Sequence, residues 1–210
     1  MKTAPAFLVL LTGCLGLILP AAAEETWPSW RGPRGDGSSP DQAVPLEWSV
    51  KEHTVWKTPL PGKGHASPVV WQDHVFVVTA VEDRRELICL DRATGKKKWA
   101  AIVLTSSRER IHRRNSLASS TPVTDGNHVF VSFLDGKEMH VAAYDFEGKK
   151  QWEKRPGVFS SVHGYCSSPI LWKDKVIING DHDGDSYIVA LEKKSGKEVW
   201  KTMRANRTRS

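Results

Sequence analysis

Three stretches of this chain share one pattern of apolar and polar positions. "SPVVWQDHVFVVTA…LICLDRATGKKKW" begins at Ser67, "TPVTDGNHVFVSFL…VAAYDFEGKKQW" at Thr121, and "SPILWKDKVIINGD…IVALEKKSGKEVW" at Ser168. Each opens on a proline (Pro68, Pro122, Pro169), which a strand start tolerates because no ladder donor is needed there. A polar turn follows, then a β-branched and aromatic run: "HVFVV", "HVFVSF" or "KVIIN". After a polar hairpin comes a third run, "LICL", "VAAY" or "IVAL". These runs are apolar at nearly every position instead of alternating, as strands are when both faces of their sheet are covered. A glycine turn then delivers a fourth strand carrying a tryptophan. Each repeat thus predicts four short strands in a sheet packed between two others.

The spacing makes chance alignment untenable. The prolines are 54 and then 47 residues apart, and 23 residues beyond each stands an acid: Asp91, Asp145 or Glu192. The turn glycines are Gly95, Gly148 and Gly196, each followed four residues later by Trp99, Trp152 or Trp200. Four-stranded units of this length, covered on both faces, stack radially into a β-propeller. The fold class predicted is all-β: a propeller of four-stranded blades, about three of them present, with the ring incomplete. Neither the WD dipeptide nor the GH signature of WD repeats occurs. "CLDRATGKKKW" and "ALEKKSGKEVW" instead fit A-x-D-x-x-T-G-K-x-x-W with a few replacements, and "AYDFEGKKQW" fits with one turn residue deleted. This pattern resembles the tryptophan-docking repeat of the pyrroloquinoline-quinone (PQQ) quinoprotein-like propellers, over roughly residues 48 to 204.

The remaining segments fall around these units. Residues 1–23, with Lys2, an apolar run from Ala6 to Leu19 and then Ala21 to Ala23, read as a secretory signal. The run is too short for a membrane span. "LTGC" (Leu11 to Cys14) also resembles a lipoprotein box that would lipidate Cys14, although Leu15 to Leu19 stay apolar where a polar tether is expected. Either reading exports the chain to the periplasm or beyond. Residues 24–47 form a lead-in, "WPSWRGPRGDGSSP" (Trp27 to Pro40), like that of secreted bacterial members of the family. Residues 48–62 read as an isolated outer strand of a closing blade, with Trp56 in the docking position. Blade 1 is assigned to 63–104, a loop plus blade 2 to 105–156, and a loop plus blade 3 to 157–204. Residues 205–210 begin the next connection. Three blades and a strand cannot close a ring of four to eight, so an N-terminal fragment of a longer protein is expected, with assembly of one ring from several chains as the alternative.

Charge adds little. The formal net charge of +6 is spread through Lys-rich turns, with one denser cluster, "SSRERIHRR" at 106–114. No interleaving of aromatic and basic residues marks a nucleic-acid platform, so no nucleic-acid partner is expected. Beyond the signal only Cys89 and Cys166 remain, and their pairing cannot be read from spacing.

Topology sorts the candidate chemistry. In a four-stranded blade the second-to-third hairpin and the blade-to-blade connection share one face of the ring, where function concentrates. That face collects His65, His112, Arg114, His163 and Tyr165 as candidate ligand-binding residues, and Asp181, Asp183 and Asp185 as a candidate metal set. The opposite face carries the repeated turns. There Asp91, Asp145, Glu192, Gly95, Gly148 and Gly196 read as scaffold, as do Trp56, Trp99, Trp152 and Trp200, packing between blades. "DHDGDSYIVALE" (Asp181 to Glu192) places carboxylates at positions 1, 3, 5 and 12 of a helix–loop–helix calcium loop. The repeat assigns Glu192 to the turn acid, however, and "SYIVAL" is a strand that carries it away from the aspartates at about 3.3 Å per residue.

Two functions follow from the resemblance. The first is a non-catalytic exported scaffold or binding module, resembling the outer-membrane assembly lipoproteins that share this repeat, with a protein or small-molecule partner on the loop face. The alternative is a PQQ-dependent dehydrogenase using PQQ and calcium, whose cofactor site lies largely in blades outside this chain. The alcohol enzymes of that group carry two adjacent cysteines, which this sequence lacks.

Overall fold

A computed structural model describes residues 26–41, 44–106, 109 and 111–204. The signal-like segment, Cys14 and residues 205–210 lie outside the described residues. The structure is all-β among those residues, in three antiparallel sheets. The first sheet runs β1 (Thr26–Trp27), β2 (Val69–Trp71), β3 (His74–Val81), β4 (Arg84–Asp91) and β5 (Lys97–Thr105). The second holds β6 (Val123–Thr124), β7 (His128–Asp135), β8 (Glu138–Asp145) and β9 (Lys150–Lys154). The third holds β10 (Ile170–Trp172), β11 (Lys175–Gly180), β12 (Tyr187–Glu192) and β13 (Glu198–Met203). These are three propeller blades in an open ring.

Blade 1 has a fifth strand that the repeat pattern does not announce. The lead-in places Thr26 and Trp27 opposite Trp71 and Val70, on the inner edge of β2, and the Pro28 carbonyl takes the Thr124 N–H of blade 2 at 2.9 Å. Residues 48–62 carry no assigned strand. An outer strand needs a neighbour to pair with, and these residues are held instead by their side chains.

The near-continuous apolar runs bury both faces of the middle strands, as the pattern requires. Phe76, Val78, Leu87 and Cys89 of blade 1 meet Val129, Val131, Phe133 and Tyr144 of blade 2. On the opposite face of blade 2, Phe130, Met139, Val141 and Trp152 meet Val176, Ile178, Tyr187 and Leu191 of blade 3. Each fully buried side chain of this size contributes about 1.5–3 kcal/mol relative to exposure. Blade 3's other face keeps Ile170, Trp172 and Trp200 exposed.

Consecutive blades are joined by the repeated tryptophan. The Trp56 indole N–H donates to the Arg92 carbonyl at 2.8 Å, Trp99 to Phe146 at 2.7 Å and Trp152 to Lys193 at 2.7 Å. Each acceptor is the residue after the turn acid of the following blade. The ring lies on that blade's turn glycine: a Cβ on Gly95 would stand 2.4 Å from Trp56, one on Gly148 2.8 Å from Trp99, and one on Gly196 2.6 Å from Trp152. All three glycines have φ between 67 and 84°, so glycine is required both by conformation and by space. The turn acids shape these turns: Asp91 Oδ1 accepts the Thr94 N–H and hydroxyl, Asp145 Oδ1 accepts the Glu147 and Lys149 N–H groups, and Glu192 accepts the Ser195 hydroxyl.

A register shift precedes each turn, at Cys89/Leu90, Ala143/Tyr144 and Ala190/Leu191. The residues paired with Trp99, Trp152 and Trp200 are Cys89, Ala143 and Ala190. A small side chain opposite the indole leaves it room to lean onto the next blade, which accounts for Ala or Cys at that motif position.

Candidate functional site: the loop-face groove

The loop face opens into two concavities of about 850 and 1000 Å³ that share His65 and Asn115. The first lies between the lead-in (Trp30, Arg31) and the inner rim of blades 2 and 3 (Ser119, Thr121, Cys166, Ser168). The second lies between blade 1 (Lys63, Glu82) and the connection to blade 2 (Arg113, Arg114). The rim is built from the residues before the repeat prolines. The Ser67 N–H donates to Thr121 Oγ1 and the Thr121 N–H donates to Ser168 Oγ, both at 3.0 Å. Proline can donate no bond there, so the preceding Ser or Thr supplies both the N–H to one neighbour and the hydroxyl acceptor for the other. This hydroxyl belt ties the inner ends of three blades together.

Glu109, in the connection to blade 2, is held by a buried hydrogen bond from Arg85. Arg85 is fully buried; its guanidinium donates to the Asp83 carbonyl at 2.9 Å, the Ser106 carbonyl at 3.0 Å and Glu109 Oε2 at 3.2 Å. Burial pushes the Glu109 carboxyl up to about 7, against the opposing pull of Arg85. Asn115 extends the scaffold: its Nδ2 donates to the His163 carbonyl at 2.7 Å and its Oδ1 accepts the Ser116 N–H and the Ser119 hydroxyl.

The predicted residues divide by position. His65 is exposed and lines both concavities. His112 and His163 meet edge-to-face with centroids 5.5 Å apart, at the loop pair that Asn115 bridges. Arg114 is exposed on the second concavity. Tyr165 is buried, away from the groove. Its hydroxyl meets Ser132 Oγ at 3.0 Å, Ser132 meets Ser120 Oγ at 2.8 Å, and Ser120 donates to the Ser167 carbonyl at 2.9 Å. Desolvation pushes its phenol well above the ordinary tyrosine range, so it stays neutral and pins its loop to the blade 2–blade 3 interface.

The three aspartates of blade 3 stand apart from the groove lining. The Asp181 carboxylate is paired with Arg204, the Asp183 N–H donates to the Ser160 carbonyl at 2.9 Å, and Asp185 is exposed. Their hairpin is organised by two residues the carboxylate pattern hides. Buried His182 accepts the Gly184 N–H on Nδ1 at 2.9 Å, and buried Ser186 closes on the His182 N–H and carbonyl at 2.9 and 2.8 Å. Among the described residues no three His, Cys, Asp or Glu side chains converge on a metal position. Cys89 is buried and Cys166 exposed, both free.

The fold now has a name. A family profile described as outer membrane protein assembly factor BamB matches residues 50–210. The chain belongs to this family of PQQ-like propeller repeats. Solved structures with the same fold include a europium-containing methanol dehydrogenase (TM-score 0.53, 18% identity, 72% of this chain and 26% of that one). A quinohemoprotein alcohol dehydrogenase from Comamonas testosteroni matches at TM-score 0.53 and 20% identity, over 68% and 21% of the two chains. BamB from Moraxella catarrhalis matches at TM-score 0.50 and 19% identity, over 74% and 44%. At these identities the likeness concerns the fold alone, and the chain spans less than half of each of these proteins. No match was found among curated proteins.

The residues that sequence reasoning passed over are those that repeat or cooperate without a motif. Thr121 and Ser168 were visible as the residue before each proline. Trp30 and Arg31 belong to a lead-in whose path along the inner rim no pattern announces.

Proposed function

We propose that this chain is part of an exported, non-catalytic propeller module that binds a partner on its loop face. The observation that carries the reading is the commitment of the inner rim to assembly. The rim hydroxyls of Thr121 and Ser168 accept bonds from neighbouring blades, and the lead-in takes the inner edge of β2. These two rim hydroxyls are thereby engaged in holding blades together. What stays open is a groove lined by exposed side chains, the arrangement of a binding surface on a rigid frame. Export rests on the signal-like residues 1–23.

The test is catalytic. The full-length protein to which this chain belongs, exported and purified, is incubated with PQQ and calcium and assayed for dye-linked oxidation of methanol and ethanol. No turnover, and no quinone absorbance co-eluting on gel filtration, is the expected result. Quinone-dependent turnover abolished by a chelator overturns the reading in favour of a dehydrogenase.

A further inference from the structure

The groove is unbalanced in charge. Arg31, Lys63, His65, Arg113 and Arg114 line it, and Glu82 is the single carboxylate among its described lining residues. Other acids of the same face stand on the blade hairpins, where Asp135 holds Arg155 and Asp181 holds Arg204. Arg31 lies over the Trp30 ring at 5.1 Å; among the described residues the Lys and Arg side chains of the groove have no carboxylate partner. Between these charges lie the rim hydroxyls and some apolar surface: Trp30 is 55% exposed and Ile170 57%, with Ile111 and Leu117 lining the second concavity.

Size and shape select the ligand class. Concavities of this volume hold ligands of many atoms, so a lone phosphate or carboxylate leaves most of the space empty. A flat anionic membrane surface does not enter a concavity between loops. Cations at both ends of the groove match an extended chain that carries several acidic side chains. Arg113 and Arg114 directly precede Asn115, whose side chain is bonded to the His163 carbonyl at 2.7 Å. A cationic surface on a pre-ordered loop loses less entropy on binding than one on a free loop.

From this placement we infer that the groove binds an extended acidic segment of a partner protein. Its carboxylates face Arg113, Arg114 and Lys63 at one end and Arg31 at the other, with His65 between. The inference rests on the binding-module reading and specifies its partner.

Fluorescein-labelled octaglutamate is titrated with the full chain at 50 mM salt and followed by anisotropy. Saturable binding is expected, weakening at least tenfold by 300 mM salt because exposed charges are screened. Arg113→Glu with Arg114→Glu lowers the affinity at least tenfold. Lys97→Glu with Lys149→Glu, an equal charge change on the exposed turn face, lowers it less than threefold. Equal effects of the two pairs, or binding of octalysine with the same affinity, overturn the inference. Binding of dextran sulfate without octaglutamate also overturns it, in favour of an acidic glycan. Each of these results leaves the module reading standing, whereas quinone-dependent turnover removes that reading itself.

Discussion

Gly148→Ala separates two contributions that the docking turn combines. At φ 84° an alanine takes on left-handed strain of about 1–2 kcal/mol. Its Cβ would also stand 2.8 Å from Trp99 Cδ2 and 2.9 Å from Cε3, closer than any tolerated contact. The indole must therefore lift, weakening its 2.7 Å bond to the Phe146 carbonyl. Leaving such a partner unsatisfied costs about 1–3 kcal/mol, so the total is about 2–5 kcal/mol. Gly35 provides a matched control: its φ is 72°, and a Cβ there meets nothing within 4 Å. Gly35→Ala should cost the strain alone, about 1–2 kcal/mol. Urea unfolding followed by circular dichroism gives both values. A double-mutant cycle with Trp99→Phe, which removes the N–H, should recover a coupling of about 1 kcal/mol or more between Gly148 and the indole. Equal costs at Gly148 and Gly35, or zero coupling, would falsify the docking account.

Two further outcomes follow from the loop face. Folded Glu109 keeps its proton up to about pH 7, whereas the unfolded chain releases it near 4.5. Between those values the folded state binds more protons, so this group lowers stability as pH rises from about 4.5 to 7, by at most about 3 kcal/mol; Glu109→Gln should remove that slope, and identical pH profiles of urea midpoint for variant and parent refute it. Thr121→Val deletes the acceptor of the Ser67 N–H at a buried site and should cost about 1–3 kcal/mol, with loss of hydrogen-exchange protection at the Ser67 amide; retained protection contradicts the hydroxyl belt.

The fold was legible because propeller packing repeats itself in sequence. Every element that docks one blade on the next recurs at the same spacing to within one turn residue: the acid that shapes the turn, the glycine beneath the ring, the tryptophan, and the small residue paired with it. Cys89, Ala143 and Ala190 differ in name yet share one steric requirement, so the motif tolerated the change. The fifth strand of blade 1 was not legible for the converse reason. Thr26 and Trp27 form only a two-residue ladder, too short for any periodicity, and their position depends on an open inner edge 43 residues further along the chain. Residues 48–62 are the complementary case. Trp56 docks as Trp99 does, but strand-like sequence does not make a strand without a neighbour to share its hydrogen bonds.

The loop face resists reading because there the blades differ. Asp181, Asp183 and Asp185 drew attention as a run of carboxylates, yet a metal site requires convergence, and alternate positions of a hairpin splay apart unless a tight turn gathers them. The hairpin turns on His182 and Ser186 instead, with Gly184 giving its N–H to the imidazole. Arg85 and Glu109 were likewise unreadable as a pair. Their separation of 24 residues has no period, and an arginine on an apolar strand looks exposed until burial is seen. That buried pair nevertheless determines the loop face most strongly, because burying a charge is tolerable only with its partner in place. Glu109 therefore has to sit over β4 whenever blade 1 is folded, which holds one end of the connection to blade 2. Arg113 and Arg114 stand between that anchored residue and Asn115, whose bond to the His163 carbonyl ties the same connection to the next one.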